Sequence, residues 1–171
     1  MRSDSLLFRF SYFLYAKTGL GKWITMRRLR KACRVRPFGH SEEHSFCYEN
    51  IVIKIIPQGY DNCGFIIWNG KSETNKCVLI DVYDAKAFVS ELRTLEKVPA
   101  VILSTHWHWD HCGGNQALLN EYPNLIIYAG KHEPVSCANM HVDHADEIII
   151  ADLNFSVEFV PGHTGGQVVY R

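Results

Sequence analysis

The sequence predicts a layered α/β or α+β domain, and three observations carry that expectation. Short β-branched runs alternate with turn residues, amphipathic helical stretches follow strands, and 47% apolar against 21% charged residues is the balance of a packed globular chain. At 171 residues there is room for one domain with a substantial core. The formal net charge of zero conceals a division. Residues 1–40 hold ten Lys or Arg and a single acid, Asp4, whereas residues 41–171 hold eight basic and seventeen acidic side chains. A basic N-terminal extension over 1–40 and a globular domain over 41–171 are therefore expected.

The extension opens on Leu6 to Tyr15, aromatic and apolar, but interrupted by Arg9 and shorter than the roughly 20 residues of a membrane span. After Gly19-Leu20-Gly21, Trp23, Met26 and Leu29 recur at helical intervals beside Lys22, Arg27, Arg28, Arg30 and Lys31. Residues 6–36 thus read as a segment for an anionic membrane surface or as a mitochondrial transit peptide, with a solvated basic extension as the plain alternative. The aromatics are not interleaved with charge as in a nucleic-acid module, so no nucleic-acid partner is expected. Without a signal-peptide pattern, the expected location is mitochondrial or membrane-associated cytoplasmic rather than secreted. The run Arg36-Pro37-Phe38-Gly39-His40 reads as a break before the domain.

Strand signals are dense from Asn50 onward. Ile51 to Ile56 is a β-branched run stopped by Pro57, Gly64 to Trp68 is a second strand, Asn69-Gly70 opens a hairpin loop and Cys77 to Ile80 returns. Ala85, Phe88, Val89, Leu92 and Leu95 share one helical face, with Pro99 as the expected stop. Ala100 to Ser104 is a short buried strand. Beyond Gly113-Gly114, Asn115 is placed to cap a helix reaching Tyr122, and Pro123 ends it. Strands follow at Leu125–Tyr128, Glu147–Ala151 and Phe155–Val160, with a polar loop over 131–146, a turn over 160–166, and a last strand from Gln167. The six cysteines form no C-x-x-C pair, which points to free thiols rather than a zinc knuckle or a disulfide framework. Cys112, beside the histidine cluster, reads as packed or supporting rather than as a ligand.

The chemistry lies in Thr105-His106-Trp107-His108-Trp109-Asp110-His111, which places three imidazoles and a carboxylate just past a strand. Such ligands suit borderline divalent metals. In extended backbone, residues i and i+2 point the same way, so His106 and His108 can share one metal while Asp110 and His111 face a neighbouring position. His163, between Gly162 and Gly165-Gly166, occupies a second strand-end turn suited to a distant ligand. Two metals sharing a water would activate it for attack on a carbonyl, which predicts hydrolysis without a protein nucleophile. No G-x-S-x-G elbow competes with that reading.

Thr105 to Gly114 resembles the T-H-x-H-x-D-H-x-G-G signature of the metallo-β-lactamase superfamily at every fixed position, and Pro161-Gly162-His163-Thr164-x-Gly166 resembles its second histidine motif. Gly113-Gly114-Asn115 and the Pro-Gly-His-Thr form resemble the glyoxalase II branch, the hydroxyacylglutathione hydrolases. Within that branch there is a likeness to a subgroup in which an aromatic, Arg-rich segment leads through a Gly-His-Ser, here Gly39-His40-Ser41, into the hydrolase domain. The resemblance implies a metallo-β-lactamase-like αββα sandwich, of which this chain supplies the N-terminal part. It implies His106, His108 and His163 as ligands of one metal and Asp110 and His111 as ligands of a second. Two divalent metals are expected, zinc foremost, with iron or manganese as alternatives. The family's bridging aspartate and further histidine lie C-terminal to the Gly-His-Thr motif and have no counterpart before Arg171. The second site is therefore expected to be incomplete, and the chain, which stops on an apolar strand, to be a fragment or short isoform. Asp81-Val82 stands where the family often has Asp-Pro, so Asp81 reads as a supporting residue. Trp107 and Trp109 read as packing or lining the mouth, and His40, His44, His132, His141 and His144 as residues of polar surface loops that bind no metal.

The leading function is a metal-dependent thioester hydrolase for a small glutathione conjugate, with metal-activated hydroxide as nucleophile and Asp110 helping to orient or deprotonate it. A single-iron persulfide dioxygenase resembles the same motifs, and an inactive truncated isoform is the non-catalytic alternative.

Overall fold

A computed structural model describes residues 45–59 and 61–171, together with residues 10, 13–15, 18–21, 23, 24 and 27. The reading of residues 6–36 as a membrane-seeking or targeting segment falls largely outside the described residues, and Cys33, Gly39, His40, Ser41 and His44 lie wholly outside them. Among the described residues no helix is long and apolar enough to cross a membrane.

Strands β1 (Ser45–Tyr48), β2 (Ile51–Gln58), β3 (Asn62–Asn69) and β4 (Lys76–Ile80) form an antiparallel meander. Strands β5 (Val98–Ser104), β6 (Ile126–Gly130) and β7 (Met140–Val142) then join β4 in parallel, giving a seven-stranded sheet in sequence order. Parallel neighbours need crossovers. Helix α1 (Ala85–Thr94) links β4 to β5, and the short helices α2 (Trp109–Cys112) and α3 (Asn115–Glu121) link β5 to β6. Strands β8 (Glu147–Ile150), β9 (Leu153–Phe159) and β10 (Val168–Tyr170) form a separate antiparallel sheet in the order β10-β9-β8.

The period-two alternation of the central strands divides the core into two faces. Cys77, Leu79, Ile102 and Ile127 point to the helix side, where Phe88 and Leu92 of α1 and Leu118 of α3 cover them. Val78, Val101 and Leu103 point the other way, against Ile148, Leu153, Phe155, Val157 and Val168 of the smaller sheet. The layers are thus helix, sheet, sheet, with β4 and β5 buried on both faces. That is why these two strands are continuous apolar runs.

The structure differs from the sequence reading at several boundaries. Strand β1 was not expected; its four residues are all exposed and pair only with β2. Pro57 does not stop β2, because it falls where β2 extends past β1 along an open edge, a place that tolerates proline. Helix α1 ends before Leu95 rather than at Pro99: Glu96 turns left-handed (φ 53) and the Lys97 N–H donates back to the Leu92 carbonyl at 2.9 Å. Pro99 instead is the second residue of β5, opposite Cys77 and beside a register shift at Cys77/Val78. Part of the expected loop over 131–146 is strand β7. Asn115 does not cap α3, since Gly114 is the cap; the buried Asn115 amide donates to the Ser136 carbonyl and the Ser104 hydroxyl, tying α3 to the end of β5 and to the β6–β7 loop.

Candidate metal centre

All the site residues stand where strands of the large sheet finish and the β9–β10 turn comes over them. Ser104 ends β5, and the chain runs on through Thr105 to His108, whose carbonyl receives the N–H groups of His111 and Cys112 as α2 begins. Gly114 then passes close beneath the β4–α1 connection: a Cβ there would stand 2.7 Å from the Tyr83 carbonyl oxygen and 2.9 Å from Val82 Cγ1. The glycine is needed for that approach. His163 arrives from the β9–β10 turn, which is joined to the end of β5 by the Val168 N–H donating to the Thr105 carbonyl at 3.1 Å.

The histidines converge. The rings of His106, His108 and His163 lie edge to face with centroids 4.6 to 4.9 Å apart, and one ligating atom from each falls within 4.8 Å of the others. His106 and His108 are buried and His163 is exposed. A second cluster on the same criterion is Asp81, His106 and His111, so His106 stands between the two. Asp110 belongs to neither cluster; its Oδ2 lies 4.0 Å from His111 Nε2. The three histidines expected to share a metal are therefore together, and Asp110 and His111 are neighbours beside them.

Asp81 organises both clusters. Its backbone is left-handed (φ 49), and its carbonyl accepts from the buried Gln58 amide at 2.8 Å, while the Gln58 oxygen receives the N–H groups of Tyr83 and Asp84. The Asp81 carboxylate accepts the Thr105 N–H at 2.8 Å, the Thr105 hydroxyl at 2.7 Å and His111 Nδ1 at 2.9 Å. A carboxylate only accepts, so the single Thr105 hydroxyl proton is committed to Asp81. Toward His106 Nδ1, 2.9 Å away, that oxygen can then only accept, which assigns the proton to Nδ1 and leaves Nε2 bare. His106 Nε2 is buried and has no hydrogen-bond partner. Likewise His111 Nδ1 carries its proton toward Asp81, leaving Nε2 on the Asp110 side.

The electrostatics follow. Burial, together with the nearby His111, His108 and His163, holds His106 down to about 3 from an ordinary 6.5. Burial and then His163 also lower His108, against the opposing charge of Asp110. His111 goes the other way: burial disfavours its cation, but the hydrogen bond and charge of Asp81 and the charge of Asp110 outweigh it. A neutral imidazole with a bare, buried nitrogen, as at His106, is an electron-pair donor without a proton to share, and His108 and His163 add two more ring nitrogens beside it. That donor set fits a divalent cation of the borderline kind.

Two residues to which the sequence reading gave no role of their own also belong here. Glu133, at the end of β6 and only 3% exposed, accepts the Trp107 N–H, the Thr164 hydroxyl and the Gly166 N–H. Thr164 itself is buried. The available signal was position: Glu133 follows the strand next to β5 in a parallel sheet, and strand C-terminal ends line such sites. Cys112 is buried with its thiol donating to the Trp107 carbonyl, and burial raises it to about 11, so it is a packed thiol. His144 takes no part; its Nδ1 receives the Phe159 N–H. Neither His132, His141 nor His144 joins a three-residue metal-ligand cluster among the described residues.

Comparison with known proteins identifies relatives of the chain. The sequence model described as the metallo-beta-lactamase superfamily matches residues 56–171. The hydroxyacylglutathione hydrolase of Pectobacterium atrosepticum is 36% identical over 115 residues, covering 67% of this chain and 45% of that protein. The protein of the same name from Aliivibrio fischeri is 34% identical over 118 residues, covering 69% of this chain and 46% of its own length. The chain thus spans a little under half the length of these curated relatives. Among solved structures, ETHE1 from Myxococcus xanthus superposes with a TM-score of 0.55 at 24% identity, over 77% of this chain and 53% of that one. BJP-1, a subclass B3 metallo-beta-lactamase of Bradyrhizobium japonicum, gives 0.61 at 18% identity, over 81% and 59%. These two likenesses show the fold.

Proposed function

Because this chain belongs to the metallo-β-lactamase superfamily, we propose that it carries the metal-binding half of a thioester hydrolase acting on a glutathione conjugate. The observation that supports metal binding above all is the buried, bare Nε2 of His106 between His108 and His163. The thioester reading rests on the identity with proteins named hydroxyacylglutathione hydrolase. His106, His108 and His163 would hold one divalent metal, zinc foremost. Asp110 and His111 would contribute to a second, which needs further ligands because two are too few to close a site. Bound there, such a metal supplies a lowered pKa for water and polarisation of a carbonyl. The chain's own residues prepare the ground: Asp81 fixes the protons of His106 (through Thr105) and of His111 on the nitrogens facing away from the site. Asp110 Oδ2, 40% exposed as a side chain, is the carboxylate placed to take a proton from an attacking water.

The test is metal analysis and S-acylglutathione hydrolysis on the full chain, with His106→Ala alongside. Bound zinc and thioester cleavage, both lost in His106→Ala, are the expected result; a chain that takes up no divalent metal overturns the reading. A single-iron, dioxygenase-like reading is favoured by one observation, that the three-histidine cluster is complete while Asp110 stands outside any cluster. One iron per chain with oxygen consumption would replace the hydrolase with it, and metal binding without turnover would mark the chain as a non-catalytic part. Residues 6–36 are assigned on their composition to an anionic membrane surface or to mitochondrial import, which vesicle co-sedimentation and an import assay separate.

A further inference from the structure

The loops that carry the three histidines come from two different sheets, and one side chain reaches the backbone beside each of them. Glu133 Oε2 accepts the N–H of Trp107, the residue between His106 and His108, at 2.9 Å. Glu133 Oε1 accepts the hydroxyl of Thr164, the residue after His163, at 2.6 Å, and the Gly166 N–H at 2.7 Å. All three donors are uncharged, and the carboxylate is 3% exposed. The turn holding Glu133 is pressed onto the β9–β10 turn: a Cβ on Gly166 would stand 2.6 Å from the His132 carbonyl carbon, and one on Gly130 would stand 2.5 Å from the Gly166 oxygen. The two backbones are thus in contact, and the carboxylate is the polar tie across the contact.

We propose that Glu133 is a positioning residue that assembles the first metal site, clamping the His106–His108 loop to the His163 turn. This rests on the proposed histidine metal site. A carboxylate suits the task because it offers acceptor lone pairs on both oxygens and has no proton that could face a donor. An amide cannot replace it. Whichever way Glu133→Gln turns, its NH2 faces either the Trp107 N–H or the Gly166 N–H. The binding energy of the metal is then spent partly on bringing His163 into place rather than on ligation.

The experiment is zinc affinity of the full chain, by competition with a chromophoric chelator, for wild type, Glu133→Gln and Thr164→Val. Each protein's unfolding midpoint is also measured with and without zinc. Removing a partner that orients ligands is expected to weaken binding on the order of 10- to 100-fold. Glu133→Gln should show that loss and a smaller zinc-induced rise in midpoint. Thr164→Val, which removes one donor and keeps the charge, should show a smaller loss of the same kind. A purely structural role predicts something else: midpoints lowered equally with and without zinc, at unchanged affinity, and that result overturns the proposal. Should Glu133→Gln fail to fold, wild-type affinity in Thr164→Val overturns it as well. Wild-type chain that binds no zinc overturns the histidine site itself, a separate outcome from the failure of Glu133.

Discussion

Asp81 shows how much one side chain decides. Its two oxygens take three donors, two from Thr105 and one from His111, and through them fix which nitrogen of His106 is bare and which nitrogen of His111 is a donor. Asp81→Asn leaves size and shape nearly unchanged but turns one acceptor into a donor facing a donor. Each orphaned buried partner costs about 1–3 kcal/mol, so a destabilisation of that order is expected in urea denaturation of the metal-free chain, with weaker metal binding besides. An unchanged denaturation midpoint would contradict the proton assignment made here. The motif itself is legible because six consecutive residues hold four potential metal ligands, three imidazoles and a carboxylate. Glu133 was not, because an isolated acid in a polar stretch gains its meaning only from the strand it follows. The same applies to Thr164, whose hydroxyl looks like any turn residue until Glu133 lies beneath it.

Among the elements, the segment from β5 through α2 to α3 carries the chemistry, and its course is set by close backbone approaches. Gly114 N–H donates to the Val82 carbonyl at 3.0 Å, and the missing Cβ is what lets α3 start against the β4–α1 connection. Gly114→Ala must push that connection, and Asp81 with it, away from Thr105. The expected effect is a loss of about 1–3 kcal/mol, the range for overpacking, together with weaker metal binding; thermal unfolding and the zinc titration check both. An alanine variant as stable as wild type would show that the connection yields freely. The strands buried on both faces, β4 and β5, were readable as apolar runs. Strands β1 and β7 were not, because their side chains are mostly exposed and only pairing with β2 and β6 makes them strands. The end of α1 was misplaced for a related reason: Glu96 adopts a left-handed conformation that its residue type does not announce.

For the molecule as a whole, the candidate metal centre lies at a seam between two sheets. His106 and His108 belong to the end of the large sheet and His163 to a turn of the small one, while the apolar contact between Val101, Leu103 and Val157, Val168 holds the sheets together. In the metal-free chain this seam is expected to lose stability in acid. His106 is held at about 3 when folded against 6.5 ordinarily, so the unfolded chain binds more protons between those values. Its contribution is whole above 6.5 and is lost as pH falls toward 3. The lowered His108 acts in the same direction, and the raised His111 opposes, since its contribution is present in acid and lost as pH rises. The unfolding midpoint of the chelator-treated chain is expected to fall through that window more steeply than that of His106→Asn; parallel curves would sink this account. Strand periodicity and the five candidate ligands, His106, His108, Asp110, His111 and His163, can be read from the chain alone, because period and ligand chemistry are local properties. That Asp81 sets the histidine protons and that Glu133 ties the two histidine loops is visible only in the folded chain. Those roles depend on atoms brought within hydrogen-bond distance across 24 to 33 residues of chain.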